Sequence, residues 1–432
     1  MDVNRKTVYH TLMDIETNNA YSNLALNHHI AVNKPESTAF VREMVYGVLE
    51  NQMLLDYIID HLADAGVKSL KASELTILRM GIYQLGYMRK VPEYAAVNES
   101  VALAKRYCRS KKGFVNAVLR SYIRDKYSIK LPDRTENEIE YLSIKYSYAP
   151  WIIELWLEQY DIDFVESLLQ AGNETPRFTV RMNWLKTVKK DLMQRFEDRG
   201  YDVKPGIMCQ NAIIVQGNDV LDNMMYKEGY FSVQDEASML MSEKLNPQKG
   251  ELIMDVCAAP GGKSLAIAER MDNKGTVIAS DIYKRKLNQI EREASRLGIY
   301  NIQTRNWDAR RVDSDYLGKA DRVLVDVPCS GLGVVRRKPE IKYKEYDSSM
   351  KSLPITQLEI LESSSSYVRV GGTLLYCTCT INKYENERVV DDFLAKHTDF
   401  VEKERKQLFP NVEGTDGFFY SLMRRKALAG NV

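Results

Sequence analysis

The chain has 432 residues, of which 44% are hydrophobic and 28% charged, as in ordinary globular proteins. This composition excludes a disordered chain, a collagen-like repeat and a disulfide-stapled miniprotein, and the length predicts two or three domains. The net charge is +1, so attraction to a polyanion would have to come from local patches. No apolar run reaches the roughly 18 residues of a membrane span, and the first residues lack the apolar core of a signal peptide. We expect a cytoplasmic protein without membrane contact.

Residues 1–130 are predicted to be all-helical. Apolar residues within Val41–Val48 and within Leu75–Leu85 recur at the spacing of one buried helix face. Ser73 is predicted as the N-cap of the second helix and Pro92 as its stop.

Two clusters of basic residues are candidates for contact with an RNA backbone. The first contains Lys105, Arg106, Arg109, Lys111 and Lys112, and the second contains Arg336, Arg337, Lys338, Lys342 and Lys344. Short basic runs are also common on solvated helix ends and loops, so both interpretations stand for each cluster.

Residues 131–234 are predicted to be a connecting region that includes a small α/β subdomain. Helical stretches within Trp151–Leu169 precede the alternating residues Arg177–Asn183, which are typical of a strand. A second helical stretch, Val188–Arg199, and a short apolar run, Ala212–Val215, complete a β-α-β pattern.

In residues 235–432, short apolar runs alternate with helical segments. The runs are Leu252–Val256, Gly275–Ala279, Arg322–Asp326 and Gly372–Tyr376. Runs of this kind predict strands buried on both faces of a doubly wound, mostly parallel sheet. Ligands of such sheets bind at the carboxyl ends of the strands, where the chemically informative residues should lie.

The turn after the first of these strands is glycine-rich and is a candidate cofactor site. Gly262-Lys263-Ser264 resembles the end of a phosphate-binding loop, but Cys257 occupies the position where that loop needs its first glycine. The glycine pattern of dinucleotide-binding turns is also absent. Asp281 ends the next strand, where an acid can hold ribose hydroxyls. This combination favours S-adenosylmethionine, an adenosine-bearing cofactor without a pyrophosphate. A structural turn followed by a capping aspartate is the alternative.

The six cysteines and five histidines do not have the spacing of a metal site or of a serine–histidine–aspartate triad. We predict free thiols and no metal. Cys329 and Cys379, however, each follow a predicted strand, so both should face the same cleft. A thiolate that adds to carbon 6 of a pyrimidine makes carbon 5 nucleophilic, which is covalent catalysis that needs no histidine. Asp326 and Lys263 are predicted to act on the base beside the thiols.

Several longer motifs occur in the order found in one known family. DVCAAPGGKS, DVPCSGLGVVRRKPEIKY and LLYCTCTINKYENE resemble the motifs of the Sun/Fmu family of RNA cytosine-5 methyltransferases. YSNLAL, VYGVLE, LGYMRKVPEYAAVNESVALAK and GFVNAVLR resemble its NusB-like RNA-binding domain, and GYFSVQDEAS resembles the start of its catalytic domain. The resemblance covers essentially the whole chain.

The resemblance implies three parts: an all-α NusB-like domain in 1–130, the α/β connecting region in 131–234, and a Rossmann-like methyltransferase domain in 235–432. It implies methylation of one cytosine in 16S ribosomal RNA, free or in an early small-subunit particle. S-adenosyl-L-methionine would be the cofactor and S-adenosyl-L-homocysteine the product. A monomer is expected.

The resemblance also implies roles for single residues. Asp281 would hold the cofactor ribose, Asp308 its adenine side, and Asp326 the region between cofactor and base. The residues that would line the methionine end of the cofactor are Cys257, Ala258, Ala259, Pro260, Gly261, Gly262 and Lys263. Trp307 and Ala309 stand where the family usually has glycines, and Cys377 stands where alanine is more common.

Spacing alone leaves open which cysteine attacks the base. DNA cytosine-5 methyltransferases use a Pro-Cys cysteine, which would correspond to Cys329, whereas the RNA family uses a Thr-Cys cysteine, which corresponds to Cys379. The resemblance implies that Cys379 is the nucleophile and that Cys329 assists release.

Two alternatives to the 16S assignment are a methyltransferase for transfer RNA or another ribosomal site, and a non-enzymatic RNA-binding protein. The NusB-like domain argues against a transfer RNA enzyme. A binding protein without activity is disfavoured because the four residues expected to be needed for catalysis are all present: Asp281, Asp326, Cys329 and Cys379.

Overall fold

A computed structural model describes residues 2–18, 20–64, 66–217 and 220–427. The chain forms two compact units. The first contains Met1–Asn173 together with Val335–Glu345, and the second contains Glu174–Val334 together with Tyr346–Val432. In the described residues, no helix is both long and apolar enough to cross a membrane.

The first unit is helical, as predicted. Its α-helices are α1 (Val3–Asn18), α2 (Ser22–Asn33), α3 (Thr38–Glu50), α4 (Gln52–Leu62), α5 (Ala72–Tyr87), α6 (Glu93–Tyr107), α7 (Lys112–Asp125), α8 (Glu138–Tyr146), α9 (Pro150–Leu157) and α10 (Ile162–Ala171). The predicted face of α3 is confirmed, since its apolar residues at the helical spacing are all buried in one core.

Two local predictions in this unit, both on helix ends, are wrong. Helix α5 begins at Ala72 and not after Ser73, because Glu74 accepts a hydrogen bond from the backbone N–H of Lys71 (3.3 Å). Pro92 does not end α5; it precedes α6, where a residue without an N–H is well tolerated. The helical stretches predicted over 151–169 are α9 and α10, and Asp161 caps the second of them by accepting from the backbone N–H of Phe164 (2.9 Å).

The short segment Val335–Glu345 packs within the first unit although it follows the Cys329 motif in sequence. Lys342 is fully buried, and its Nζ donates to the backbone oxygen of Glu50 (2.8 Å) and to Oδ1 of Asn173 (2.6 Å). Burial lowers the pKa of Lys342 to about 7 despite the opposing charge of Glu50.

Burial corrects part of the RNA-contact hypothesis for this segment. Lys342 is inaccessible and Arg336 is only 6% exposed, so neither side chain can meet an RNA phosphate in this structure. Arg337 and Lys338 are partly exposed, and Lys338 Nζ lies 5.3 Å from the ring centre of Tyr21. The prediction of RNA contact therefore stands for these two residues of the segment and for Lys344, which is exposed.

The second unit begins with a small antiparallel sheet, which confirms the predicted α/β subdomain. Its elements are β1 (Thr179–Met182), α11 (Lys189–Glu197), β2 (Asp202–Pro205), β3 (Ala212–Gln216), α12 (Met224–Lys227) and β4 (Phe231–Val233). The strand order is β2-β3-β1-β4, and every pairing is antiparallel.

The rest of the unit is a seven-stranded sheet with flanking helices. Its elements are α13 (Glu236–Leu245), β5 (Leu252–Asp255), α14 (Gly262–Arg270), β6 (Thr276–Asp281), α15 (Lys284–Leu297), β7 (Ile302–Asn306), β8 (Ala320–Asp326), α16 (Ser348–Lys351), α17 (Leu353–Ser365), β9 (Val368–Thr378), α18 (Glu387–Lys396), β10 (Phe400–Leu408), α19 (Pro410–Glu413) and β11 (Phe418–Arg425).

The strand order is β10-β11-β9-β8-β5-β6-β7. Strands β5 to β9 pair in parallel, while β11 is antiparallel to both β9 and β10. The mostly parallel sheet is thus as predicted, and its order reverses beside β5. The carboxyl ends of β5, β6, β8 and β9 meet at one edge, where ligands of such sheets bind.

Candidate active site

The glycine-rich turn joins β5 to α14 and leaves room close to the backbone. Gly261 has φ +106°, and a Cβ there would lie 2.9 Å from Ile290 on α15, so both conformation and space favour glycine. Behind the turn, the buried carboxylate of Asp255 accepts a hydrogen bond from Ser264 Oγ (2.5 Å). Burial raises the pKa of Asp255 to about 7. The start of α14 is therefore anchored to the end of β5.

Asp281 lies at the end of β6, beside this turn. Its Oδ2 accepts from the backbone N–H of Ala259 (3.2 Å) and its Oδ1 from that of Tyr283 (2.8 Å). Each carboxylate oxygen has two lone-pair sites, so both can accept a further hydrogen bond from a ligand hydroxyl.

Asp308 lies at a small cavity of about 160 Å³, which is lined by Ile282, Asn306, Trp307, Asp308 and Arg311. The Asp308 carboxylate accepts from Arg310 Nη2 (2.7 Å) and Nε (3.0 Å), and this hydrogen bonding lowers the pKa of Asp308. Sequence reasoning did not assign Ile282 or Trp307 to a site. An apolar residue directly after the acid that ends a predicted strand was the available signal for Ile282, whose side chain is exposed in the structure.

Cys329 follows β8, Cys379 follows β9, and their Sγ atoms are 3.3 Å apart. The two turns are joined by a hydrogen bond between Ser330 Oγ and Thr380 Oγ1 (2.6 Å) and by one from the backbone N–H of Gly333 to the Cys379 oxygen (3.0 Å). The two thiols, which are distant in sequence, therefore form a close pair at the edge of the sheet, and both are partly exposed.

Each thiol of this pair affects the ionisation of the other, because their sulfur atoms are in contact. The hydrogen bond to Cys379 and burial raise the pKa of Cys329 well above its usual value. Two thiolates at this distance would repel each other, so at most one of the two thiols is expected to be ionised at a time.

Lys263 and Asp326 form an ion pair beside the thiols, with Lys263 Nζ 2.7 Å from Asp326 Oδ2. Burial alone would lower the pKa of Lys263, but the charge and hydrogen bond of Asp326, together with the neighbouring thiols of Cys377 and Cys379, outweigh it and raise the pKa above the usual value. Asp326 Oδ1 also accepts from Cys377 Sγ (3.5 Å), and burial raises the pKa of that thiol. Lys263 therefore places a positive charge next to the thiols.

Sequence reasoning missed two buried residues behind the Cys329 turn, Glu385 and Gln357. Burial also raises the pKa of Cys257, in the glycine-rich turn. Among the residues that the structure describes, no cluster of three or more histidine, cysteine, aspartate or glutamate side chains is arranged to hold a metal ion.

Three known sequence families match successive parts of the chain. The NusB family matches residues 2–124, an RsmF/B-like ferredoxin-like domain matches 148–220, and the family described as 16S rRNA methyltransferase RsmB/F matches 242–424. The predicted domain boundaries at 130 and 234 remain predictions.

The chain is also similar to curated proteins over nearly its full length. It is 35% identical to the probable ribosomal RNA small subunit methyltransferase B of Bacillus subtilis (strain 168), over 98% of each chain. It is 31% identical to the ribosomal RNA small subunit methyltransferase B of Vibrio vulnificus (strain YJ016), over 91% of this chain and 92% of that one. The crystal structure of PH0851 matches 97% of this chain and 98% of its own, with a TM-score of 0.84 and 25% identity.

Together, the helical NusB domain, the ferredoxin-like subdomain and the Rossmann-like sheet define an rRNA methyltransferase. The chain belongs to the ribosomal RNA small subunit methyltransferase B family.

Proposed function

We propose that this enzyme transfers a methyl group from S-adenosyl-L-methionine to carbon 5 of one cytosine in 16S ribosomal RNA through a covalent Cys379–cytosine intermediate. The observation that carries the proposal is the cysteine pair at 3.3 Å beside the Lys263–Asp326 ion pair. We propose further that the enzyme acts in the cytoplasm as a monomer, on free RNA or on an early small-subunit particle.

The residues at the carboxyl ends of β5 and β6 fit S-adenosylmethionine. Gly261 and Gly262 leave the turn open, since a Cβ on Gly262 would have no heavy atom closer than 3.6 Å. Asp281 has acceptor capacity for ribose hydroxyls, and the cavity at Trp307 and Asp308 would take the adenine. When bound, S-adenosylmethionine supplies an electrophilic methyl group and leaves as S-adenosyl-L-homocysteine.

The first chemical step assigned to the chain is attack by the Cys379 thiolate on carbon 6 of the cytosine. The new S–C bond shifts the C5=C6 electron pair towards carbon 5 and the ring, which makes carbon 5 nucleophilic. Lys263 stabilises the negative charge that develops on the base, and the Asp326 carboxylate is placed to accept from the exocyclic amine of the base. The cytosine must leave its stack to reach these groups.

Release requires removal of the carbon 5 proton after methylation. Once Cys379 is bonded to carbon, it no longer presents a negative charge to Cys329. The pKa of Cys329 therefore falls, and its thiolate forms more readily. That thiolate takes the proton from carbon 5, the C–H electron pair re-forms the double bond, and Cys379 leaves as a thiolate.

Mapping of 5-methylcytosine tests the substrate and the position together. Unmodified 16S RNA and transfer RNA are treated with enzyme and S-adenosylmethionine and then sequenced after bisulfite conversion. We expect one protected cytosine in 16S RNA. Protection in transfer RNA alone would favour the alternative substrate, and no protection despite methyl transfer would contradict methylation at carbon 5.

Neutralising the first basic cluster is expected to weaken RNA binding. Lys105, Arg109 and Lys112 are exposed, so glutamine at all three positions should remove phosphate contacts without disturbing a core. Each lost contact should reduce the slope of log affinity against log salt by about 0.7 for single-stranded RNA. Filter binding over a range of salt concentrations measures this slope.

A variant with the same change in net charge provides the control. Lys249, Lys274 and Lys319 are exposed in the second unit, and glutamine at these positions should leave the slope unchanged. Equal slopes for the two triple variants would contradict a role of the first cluster in RNA binding.

A further inference from the structure

Glu385 is a buried carboxylate directly behind the Cys329 turn and is only 2% exposed. Its Oε2 accepts from the backbone N–H of Ser330 (2.9 Å) and from Gln357 Nε2 (2.9 Å), and its Oε1 accepts from Asn382 Nδ2 (3.0 Å). Three donors converge on this group, an arrangement that suits a carboxylate because it accepts only. An amide at this position would direct its own N–H groups at a donor.

Gln357 extends this contact to the other side of Cys329. Its side chain, on α17, is fully buried, and Nε2 also donates to the backbone oxygen of Pro328 (3.0 Å). The backbone is therefore fixed directly after Cys329 by Glu385 and directly before it by Gln357.

Glu385 is also tied to the strand that leads to Cys379. Tyr376 lies on β9, and its hydroxyl donates to the backbone oxygen of Glu385 (2.7 Å). One residue thus contacts both the turn that carries Cys329 and the strand that ends just before Cys379.

We propose that Glu385, together with Gln357, is a positioning residue that sets Cys329 against Cys379 for release of the methylated base. This inference rests on the proposed covalent function. The charge of Glu385 has a separate effect: after the hydrogen bond to Cys379 and burial, the Glu385 carboxylate is a further cause of the raised pKa of Cys329. Cys329 is thereby kept as a thiol until Cys379 has reacted.

The test compares Glu385→Gln, Cys329→Ala and the double variant in the full-length enzyme. Each is incubated with 16S RNA and S-adenosylmethionine, and the detergent-resistant protein–RNA adduct is followed with time on a denaturing gel. If Glu385 acts through Cys329, Glu385→Gln slows adduct release on the order of tenfold, the scale of coupling within one hydrogen-bond network. In the Cys329→Ala background the same change should then have no further effect.

The pH dependence of release separates positioning from a general loss of structure. Release requires a Cys329 thiolate, so its rate rises with pH through the pKa of Cys329. Because Glu385 raises that pKa, Glu385→Gln should move the rise to lower pH. A purely structural defect would lower the rate at every pH and leave the midpoint where it is.

Thermal unfolding shows whether Glu385→Gln is destabilised. If it is, two further variants keep the test decisive. Gln357→Leu removes the donor shared by Pro328 and Glu385 and should also slow release. Asp391→Asn removes an exposed carboxylate that pairs with Arg405 (2.6 Å), and it should behave as the unmodified enzyme.

The outcomes distinguish this inference from the proposed function. If Cys329→Ala accumulates no adduct, the proposed covalent function fails. If Cys329→Ala accumulates adduct but Glu385→Gln and Gln357→Leu do not, or if Glu385→Gln adds its full effect in the double variant, the positioning role of Glu385 is overturned.

Discussion

Replacing Cys329 with alanine is expected to trap the enzyme on its RNA as an adduct that survives detergent. Cys379 can still attack the cytosine, but the group that takes the carbon 5 proton is gone, so the S–C bond persists. Replacing Cys379 with alanine should remove the nucleophile, form no adduct and lower methyl transfer by about 10⁴-fold or more. A denaturing gel and a methyl-transfer assay measure the two results.

Cys377 supplies the matched control for these substitutions. Its side chain is fully buried, and its thiol contacts Asp326 only weakly, at 3.5 Å. Cys377→Ala should retain activity to within a few-fold and should trap nothing. An adduct formed only by Cys379→Ala would reverse the roles of the two thiols.

Asp326→Asn is expected to cause the second largest loss. It keeps the shape of the side chain but removes the charge that pairs with Lys263 Nζ at 2.7 Å. We expect kcat to fall by about 10²-fold to 10³-fold, as when one preorganised electrostatic contact to the reacting group is lost.

The same substitution should change the alkaline limb of the pH profile. In the unmodified enzyme, the charge of Asp326 holds the pKa of Lys263 above its usual value against the effect of burial. Without that charge the pKa of Lys263 should fall, and the residual activity should be lost at a lower alkaline pH.

The control for Asp326→Asn is Asp272→Asn, which removes an exposed carboxylate paired with Lys249 (3.0 Å). It should leave both kcat and the alkaline limb unchanged. An Asp326→Asn enzyme with full kcat would contradict the role assigned to the ion pair.

The strands and the two cysteine turns were predictable because they depend on patterns local in sequence. Buried parallel strands are continuous apolar runs, and a residue that follows such a strand must lie at the carboxyl edge of the sheet. The predicted neighbourhood of Cys329 and Cys379 follows from these two facts alone. Their proposed division of labour rests instead on the resemblance to a known family.

Other features depend on contacts that a linear pattern does not contain. The basic segment after Cys329 looked solvated, but Lys342 is held by residues far away in the chain. The Glu385 carboxylate accepts hydrogen bonds from the backbone N–H of Ser330, 55 residues earlier in the chain, and from the side-chain amide of Gln357, 28 residues earlier. A lone acid in a polar stretch gives no sign of such partners, so its place behind Cys329 emerged only from the structure.

Release of tritium from carbon 5 tests the central claim most directly. 16S RNA labelled with [5-³H]cytidine is incubated with the enzyme and S-adenosylmethionine, and methyl transfer and tritium release to water are counted together. Methylation at carbon 5 through a Cys379 adduct predicts one tritium released for each methyl group transferred, and neither event with Cys379→Ala. Methyl transfer with the tritium retained would place the methyl group elsewhere on the RNA and contradict this account.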